Sequence, residues 1–295
     1  MPNKSSKLEI ISKLVLGTAQ LGMKYGIANK RGQPSKKESL KLLKTAWNEG
    51  IRYFDTAPDY KSELIIGEFV KSYGIHNEIQ ILTKLPLVRK ENDWKSFIER
   101  SIENSLNNLT CHQIKVLFFH NAKDSLLLFE NEDFFKNLLN DYSISSLGVS
   151  VYEPHEIERI RNCRFDLAFQ FPFNLLDDRF DKNNVSKGKR YARSIFLQGF
   201  LASSDLAENA PGFLKDYHSL LIEDYKKNNL RLIQQAFKYV TESKSIDFFI
   251  FGVDSVSQLK QLFNLDLSIS VNTTIIKNWR SAIPHEVIDP RKWHQ

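Results

Sequence analysis

The chain has 295 residues and a formal net charge of +6, from 41 lysines and arginines against 35 aspartates and glutamates. The basic residues are scattered rather than interleaved with aromatics, which argues against nucleic-acid binding, and the longest strongly apolar run, FFIFGV at 248–253, is far too short to span a bilayer. Two distant cysteines, Cys111 and Cys163, match no disulfide framework or metal motif, and no secretory signal precedes them, so a reducing, cytoplasmic location is expected.

Short apolar runs alternate with helix-length segments along almost the whole chain. Eight runs are typical of strands: 14–17, 51–54, 79–84, 114–120, 146–151, 166–170, 193–197 and 248–252. This alternation indicates repeated βα units, in which helices join parallel strands.

The helix between the first two strands has clear ends. Ser35 and Glu38 have the spacing of a capping box, and Gly50 stands where a helix-terminating glycine belongs. A second helix over 94–109 is predicted because its apolar residues fall on one helical face. Segments 61–73, 131–141, 154–161 and 217–240 also have helical patterns.

The number of βα units favours a closed (β/α)8 TIM barrel, an α/β fold of about 250 residues. A doubly wound sheet is the alternative, but GTAQLGMKYG follows the first strand where that fold carries GxGxxG. We therefore expect a single barrel domain over residues 1–295. The segment KLEIIS is expected to form a short N-terminal β-hairpin with the residues after it and to close the bottom of the barrel.

Polar residues end three successive predicted strands. Asp55 follows IRYF, Lys84 ends IQILTK and His120 ends IKVLFFH. The C-terminal ends of barrel strands meet at one mouth, where active sites of this fold lie. Because a buried lysine needs a countercharge, Lys84 is expected to pair with Asp55.

Tyr60 lies five residues after Asp55. An ammonium beside a phenol favours the phenolate, so Lys84 is expected to lower the pKa of Tyr60 below its ordinary value of about 10. Tyr60 would then be a general acid, with a neutral His120 holding a carbonyl oxygen against its hydroxyl. Each residue also has a purely structural explanation: Asp55 as a turn cap, Tyr60 and His120 as packing residues, and Lys84 as a side chain reaching solvent.

Besides these residues, the chain contains the segments LVLGTAQLGMKYGIANKRGQP, FDTAPDY with SE just after it, LTK, FFHN, LGVSVY, FQFPFNLLDDR, RSIFLQGFL, FGVDSVSQL and IDPRKW. In their order and spacing these segments resemble the aldo/keto reductase family over almost the whole length of the chain. The resemblance implies a cytoplasmic NAD(P)H-dependent oxidoreductase without metal or flavin. Hydride would pass directly between the nicotinamide and a carbonyl carbon while Tyr60 protonates the oxygen, Asp55 and Lys84 tune Tyr60, and His120 orients the carbonyl.

The resemblance also implies a cofactor site, made by residues after several strands. The matching positions are Gly17, Thr18, Asp55, Ser150, Gln170, Arg193, Ser194, Phe196, Leu197, Gly199, Gly252, Val253, Asp254, Ser255 and Gln258. Gly17 and Thr18 would lie against the nicotinamide riboside, and Ser150 and Gln170 would hold the carboxamide. The pyrophosphate would lie over 194–199, and 252–258 follow the last strand, where barrels commonly bind a phosphate. Each position alone is equally explained as an ordinary turn residue.

Three positions depart from the family pattern. Lys61 replaces the glycine that many relatives have after the catalytic tyrosine, and it either attracts an anionic substrate or simply faces solvent. Arg193 stands where many relatives stack an aromatic ring on the nicotinamide, although Phe196 is a second candidate for that contact. NADP(H) is the family habit, but Asp254 and Gln258 suit a ribose 2′-hydroxyl better than a phosphate, so NAD(H) stays open.

Substrate choice is expected to depend on the loops over the mouth. Met23 and Tyr25, together with Tyr60 and His120, are the candidate substrate contacts, and a polar substrate such as a sugar derivative is expected. A cofactor-sensing regulatory protein on the same fold is the alternative function, because fold does not fix function. The expected partners are a small carbonyl compound and, at most, further copies in a small homo-oligomer, with no nucleic acid or membrane.

Overall fold

The computed structural model describes residues 4–88, 93–181 and 188–293. Eight parallel strands close into a barrel in which each pairs with its neighbours in chain order and the eighth pairs with the first. The strands are β1 (Leu14–Gly17), β2 (Tyr53–Asp55), β3 (Gln80–Leu85), β4 (Val116–Phe119), β5 (Leu147–Ser150), β6 (Ala168–Pro172), β7 (Arg190–Arg193) and β8 (Phe248–Gly252). The predicted (β/α)8 TIM barrel is confirmed.

Helices surround the barrel and cover the outer faces of its strands. They are α1 (Lys4–Lys13), α2 (Ala19–Gly22), α3 (Lys36–Asn48), α4 (Glu63–Tyr73), α5 (Trp94–Leu109), α6 (Leu127–Glu130), α7 (Glu132–Asp141), α8 (Pro154–Ile160), α9 (Gly212–Lys227), α10 (Leu232–Thr241), α11 (Val256–Phe263), α12 (Thr273–Ala282) and α13 (His285–Ile288). Among the described residues, none of these helices combines the length and the apolar character that crossing a membrane requires.

The predicted helix boundaries are largely confirmed where local capping signals exist. Ser35 and Glu38 form both hydrogen bonds of the capping box at the start of α3, and α5 covers the predicted range. The predicted helix over 217–240 is instead two helices, α9 and α10. Asn229 lies between them in the left-handed conformation, with φ of 54°, which ends regular helix geometry.

The N-terminal hairpin prediction is wrong, because the segment that contains KLEIIS is the helix α1. Closure of the barrel explains this result, since β1 already pairs with β2 on one side and β8 on the other and leaves no edge for a hairpin strand. Ile11 of α1 is buried in the outer core, and its Cγ2 lies 3.2 Å from the Cβ position at Gly50. The helix therefore packs near the amino-terminal end of β2.

The seventh strand begins earlier than predicted. The predicted strand 193–197 shares only Arg193 with β7, and the apolar residues that follow form a turn in which Ser194 and Leu197 have φ of 56° and 46°. Phe196 is buried against Phe237 of α10, with 6.0 Å between the ring centroids. This apolar run thus marks a buried loop under a helix rather than a strand.

Alternating residues of the strands separate the core into two parts. The residues inside the barrel are Val15, Leu82, Val116, Phe118, Ala168, Tyr191 and Ile250, with Tyr53 and Phe248 packed against them. Their chain neighbours face the helices and belong to the larger outer core. Because side chains alternate along a strand, the residue two positions after each interior residue also points inward, towards the carboxyl-terminal mouth.

Candidate active site

The predicted site residues share this inward direction at the mouth of the barrel. Asp55, Lys84 and His120 each stand two positions after an interior residue, namely Tyr53, Leu82 and Phe118. Gly17, Gln170, Arg193 and Gly252 follow Val15, Ala168, Tyr191 and Ile250 in the same way. Because side chains alternate along each of these parallel strands, residues from seven strands that are far apart in the chain meet at one end of the barrel.

Asp55 and Lys84 form a buried ion pair at the centre of this group. Lys84 Nζ lies 2.8 Å from both Asp55 carboxylate oxygens and donates a third bond of 2.8 Å to the Thr56 carbonyl oxygen. Gln170 Nε2 donates to Asp55 Oδ1 at 2.7 Å. The two charged residues are 4% and 2% exposed, so the predicted pairing holds and the charges compensate each other away from water.

Hydroxyl groups behind this pair hold the backbone of β2. The Thr18 hydroxyl donates to the Asp55 carbonyl oxygen at 2.9 Å and also lies 2.9 Å from Ser62 Oγ. Ser62 Oγ lies 2.9 Å from the Thr56 hydroxyl in turn. Thr18 thus positions the strand that carries Asp55, a role that the sequence pattern did not indicate.

Tyr60 enters the mouth from a short 3₁₀ turn, Pro58–Tyr60. The turn ends at Lys61, whose φ of 60° is left-handed. Lys84 Nζ lies 4.8 Å from the centroid of the Tyr60 ring, and the rings of Tyr60 and His120 are perpendicular with centroids 6.1 Å apart. The structure therefore brings the four predicted catalytic side chains together.

The direction of the pKa shift at Tyr60 is opposite to the prediction. Burial, reinforced by the negative charge of Asp55, raises the pKa of the Tyr60 phenol well above its ordinary value. An ammonium has three donors, and Lys84 donates all three to Asp55 and Thr56, so its charge is already compensated. Burial also lowers the pKa of Lys84, although Asp55 opposes this effect.

His120 stands at the edge of the mouth with a side chain that is 34% exposed. Burial, followed by the positive charge of Lys84, lowers the pKa of His120 below its ordinary value. Asp59 Oδ2 lies 3.7 Å from Nδ1 and acts in the opposite sense, but it is itself 63% exposed. A neutral imidazole follows at physiological pH, and a neutral imidazole can donate one hydrogen bond and accept another.

A cavity of about 620 Å³ opens beside these residues. Of the predicted cofactor residues, its lining includes Gly17, Thr18, Asp55, Gln170, Arg193, Ser194, Phe196, Gly199, Gly252, Val253, Asp254 and Gln258. Ser150, Leu197 and Ser255 are outside this lining. Ser150 and Leu197 are buried, and Ser255 instead caps α11 by accepting a hydrogen bond from the Gln258 amide.

Several lining residues were not predicted individually. Gln20 donates from Nε2 to the carbonyl oxygens of Gly17 and Val253, at 2.9 and 2.8 Å, and so ties the ends of β1 and β8. The loop after β1 crosses to the loop after β7, where Ala207 donates to the Ile27 carbonyl oxygen at 2.9 Å and Lys30 pairs with Asp205. These long-range contacts have no local sequence signal.

The lining of the cavity includes a carboxylate oxygen that is unsatisfied within the described part of the chain. Asp254 Oδ1 is buried and has no hydrogen-bond partner among the described residues, although the Asp254 amide donates to Gln258 Oε1 at 3.0 Å. Burial raises the pKa of Asp254, and the charge of Arg31 opposes that shift. A buried acceptor without a donor fits a ligand hydroxyl, and the glycines and polar side chains of the lining are suited to a dinucleotide.

The predicted stacking residue has a protein partner. The Arg193 guanidinium lies 3.9 Å from the centroid of the Tyr152 ring, and Phe196 is 8% exposed and packs towards α10. Tyr25 lines the cavity and is 40% exposed. Met23 and Lys61 are outside the lining set.

A group of potential metal ligands lies outside this cavity. Glu153, His285 and Asp289 have ligand atoms within 4.8 Å of one another. The carboxylates are already paired with arginines, since Arg179 lies 2.8 Å from Glu153 and Arg291 lies 2.8 Å from Asp289. This cluster is therefore well explained as an ion-pair network that holds the C-terminal segment.

Comparisons with known proteins agree with the fold. The model of the aldo/keto reductase family matches residues 13–280. The chain is 23% identical to the aldo-keto reductase YhdN of Bacillus subtilis over 95% of this chain and 92% of that protein. It is also 29% identical to an aryl-alcohol dehydrogenase [NADP(+)] of Phanerodontia chrysosporium, over 48% of this chain and 40% of that protein.

Two solved structures share the architecture over nearly the full length. The holo form of the aldo-keto reductase AKR11C1 from Bacillus halodurans superposes with a TM-score of 0.72 at 19% identity, covering 94% of this chain and 95% of that one. The glycerol dehydrogenase AKR11B4 from Gluconobacter oxydans gives a TM-score of 0.68 at 20% identity, covering 95% and 93%. At these identities the likeness concerns the fold.

Proposed function

Since this chain belongs to the aldo/keto reductase family and is an oxidoreductase, we propose that it interconverts a carbonyl compound and the corresponding alcohol with a nicotinamide cofactor. The observation that carries the proposal is the buried Asp55–Lys84 pair, with its 2.8 Å contacts, beside the Tyr60 phenol. When bound, the cofactor supplies or accepts the hydride.

Tyr60 is the proposed proton donor to the carbonyl oxygen. Its raised pKa keeps the phenol protonated at neutral pH, which is the form that a general acid requires. His120 lies next to it and, as a neutral imidazole, donates a second hydrogen bond to the same oxygen. Both groups would stabilise the negative charge that develops on that oxygen during reduction.

Asp55 and Lys84 are proposed to orient the site and to set its electrostatics. The pair fixes the Lys84 ammonium 4.8 Å from the Tyr60 ring centroid. An ammonium over an aromatic face is attracted to the ring. The attraction between the ammonium and the ring becomes stronger when the phenol begins to lose its proton and gains negative charge. This arrangement supports proton release late in the reaction rather than in the resting protein.

The proposed cofactor contacts are distributed along the cavity. Gly17 and Gly252 end β1 and β8, where backbone without side chains lets a ring approach closely. Gln170 currently donates to Asp55, and its remaining amide groups are proposed to hold the carboxamide. Asp254 is proposed to accept a hydrogen bond from a ribose hydroxyl at the other end.

The choice between NADH and NADPH is proposed to depend on Asp254 and Arg31. The unpartnered Asp254 oxygen favours a 2′-hydroxyl, whereas Arg31, whose side chain is 63% exposed and pairs with Glu38 at 2.9 Å, is a cation available to a 2′-phosphate. We expect use of both cofactors, with NADH binding the tighter after Arg31→Met and NADPH the tighter after Asp254→Ser. Fluorescence titration measures the dissociation constants, and unchanged ratios in both variants would reject these assignments.

The test of the proposed function is turnover of a carbonyl panel followed by absorbance of the reduced cofactor. Tyr60→Phe removes only the hydroxyl, so we expect the rate to fall by about 100-fold or more while the cofactor dissociation constant stays within a factor of about 3. Tyr53→Phe, inside the barrel, is the matched control and should leave the rate unchanged. Tight cofactor binding with no turnover in the wild type would instead favour the cofactor-sensing alternative.

We further propose a small polar carbonyl compound, such as a sugar derivative, as substrate. Gln198, Ser203 and Ser204 line the cavity and offer hydrogen bonds to hydroxyl groups. The protein is proposed to work in the cytoplasm in carbohydrate metabolism, as one domain over 1–295 and as a monomer or small homo-oligomer, without nucleic-acid or membrane partners. Light scattering and a low-salt gel-shift assay test the last two points.

A further inference from the structure

Arg193 is a cation at the mouth of the barrel that has no carboxylate partner in the described part of the chain. Among the described residues its guanidinium makes only two polar contacts, of 3.4 Å to Ser194 Oγ and 3.3 Å to the Val151 carbonyl oxygen, and it joins no ion pair. Both distances are long for hydrogen bonds. Most of its five N–H donors are thus available to a ligand in the cavity that it lines.

The protein holds this guanidinium in place without neutralising it. Arg193 stacks on the Tyr152 ring at 3.9 Å, and Arg291 stacks on the same ring at 4.1 Å. Arg291 is in turn held by Asp289 at 2.8 Å and by Glu153 at 3.2 Å. The nearby carboxylates therefore pair with other arginines, and the uncompensated charge remains on the one that faces the cavity.

The position of this charge is close to the reacting groups. The charge of Arg193 opposes the rise in the pKa of Tyr60 and adds to the lowering of the pKa values of His120 and Lys84. The Asp55–Lys84 pair beside it is internally compensated. An anion bound between Arg193 and Tyr60 would thus meet a positive potential near the point of proton transfer.

We propose that Arg193 anchors an anionic group of the substrate, a carboxylate or phosphate a few bonds from the reacting carbonyl. This inference rests on the proposed function and narrows its substrate class to anionic carbonyl compounds. A planar guanidinium suits both anions because its parallel N–H donors match their oxygens. Tyr152 is a positioning residue, because its ring keeps the N–H donors of the Arg193 guanidinium directed into the cavity.

The test compares carbonyl compounds that differ by one anionic group. The pairs are succinic semialdehyde with butanal, for a carboxylate, and glyceraldehyde phosphate with glyceraldehyde, for a phosphate. In the wild type we expect kcat/KM for the anionic member of at least one pair to exceed that of the neutral member by about tenfold or more. Arg193→Met should reduce this ratio towards 1. Arg193→Lys should retain part of the ratio, because lysine has the positive charge but lacks the two parallel N–H donors of the guanidinium.

Two further variants distinguish direct binding of the substrate anion by Arg193 from attraction by any positive charge near the mouth. Lys61→Met also removes a positive charge next to Tyr60, and it should leave the ratio unchanged. Tyr152→Leu should raise KM for the anionic member more than for the neutral one, with little change in kcat. A ratio equally large in the wild type and in Arg193→Met would overturn the proposal.

The phosphates of the cofactor are the alternative anions that Arg193 could bind. Dissociation constants of NADH and NADPH distinguish this alternative from binding of the substrate anion. If Arg193→Met weakens NADH and NADPH binding and leaves the substrate ratio intact, Arg193 serves the dinucleotide and the proposal is wrong. If no carbonyl compound turns over, the proposed function fails instead. In that event, calorimetric binding of succinic semialdehyde to the wild type and to Arg193→Met still decides whether Arg193 binds an anion.

Discussion

Asp55 is the residue on which the electrostatics of the mouth depend. Its carboxylate accepts two bonds from Lys84 and one from Gln170, all of 2.7–2.8 Å. Removing one partner of a buried ion pair costs about 3–5 kcal/mol, since the other charge stays buried and unpaired. The same carboxylate adds to the burial effect that keeps Tyr60 protonated. Asp55 thus takes part both in the buried ion pair and, together with burial, in keeping Tyr60 protonated.

The raised pKa of Tyr60 predicts opposite pH dependence for the two reaction directions. Reduction needs the protonated phenol, and a pKa above the ordinary value of about 10 keeps it protonated from about pH 7 to about pH 9, so the reduction rate should be constant there. Alcohol oxidation needs the phenolate, so its rate should rise with pH over the same range. Single-turnover rates in both directions measure this, and a reduction rate that falls between these limits would contradict the assignment.

Helix α4 carries the segment after Tyr60 and depends on a close approach to α5. A Cβ atom at Gly67 would lie 2.0 Å from the Asn108 carbonyl oxygen, so the two helices touch through backbone at this point. Buried Glu63 adds a polar link, accepting from the Thr83 hydroxyl at 3.0 Å and from Asn108 Nδ2 at 3.3 Å. The placement of α4 thus relates the Tyr60 turn to β3, the strand that carries Lys84.

Gly67→Ala is expected to destabilise the protein by separating α4 from α5. Overpacking of this kind costs about 1–3 kcal/mol, and here the obstacle is backbone that cannot rotate away. Gly212→Ala, at the start of α9, places the added Cβ more than 4 Å from every atom of the described residues and is the matched control. Urea denaturation followed by circular dichroism compares them, and equal midpoints would show that the helices separate at no cost.

At the scale of the whole molecule, the closed barrel brings two distant loops together over the cavity. The loops after β1 and β7 meet through the Lys30–Asp205 ion pair and the bond from the Ala207 amide to the Ile27 carbonyl oxygen, which joins residues 180 positions apart in sequence. Gly26 and Gly199 lie at this junction, each with positive φ and each close to the opposite loop. The crossing covers the part of the cavity where the dinucleotide is proposed to lie.

Opening this crossing should speed release of the cofactor with little effect on folding. Asp205→Asn removes an exposed ion pair, which contributes only about 0–1 kcal/mol to stability, but we expect the cofactor dissociation rate to increase severalfold. Glu223→Gln breaks a comparable exposed pair with Lys227, 2.9 Å apart on α9, and should change neither quantity. Stopped-flow fluorescence measures the rates, and identical rates in the two variants would show that the ion pair does not hold the loops.

Local patterns in the sequence were sufficient for the features that depend on neighbouring residues. The alternation of strands and helices indicated the barrel, the Ser35–Glu38 spacing indicated the start of α3, and polar residues after apolar runs indicated the mouth. The period of two along each strand then determines which of these side chains point inward. Asp55 and Lys84 were predictable as partners because a buried ammonium needs a countercharge.

Other features were decided only by closure of the barrel. The bond from Gln170 to Asp55 joins residues 115 positions apart, and the stacking of Arg193 on Tyr152 requires β5 and β7 to stand on either side of β6. Local propensity contains no information about such partners. The same closure left no strand edge for KLEIIS to pair with. Packing of distant segments also turned the apolar run after Arg193 into a buried loop and raised the pKa of Tyr60, since burial and the charges around a group exist only once those segments have packed together.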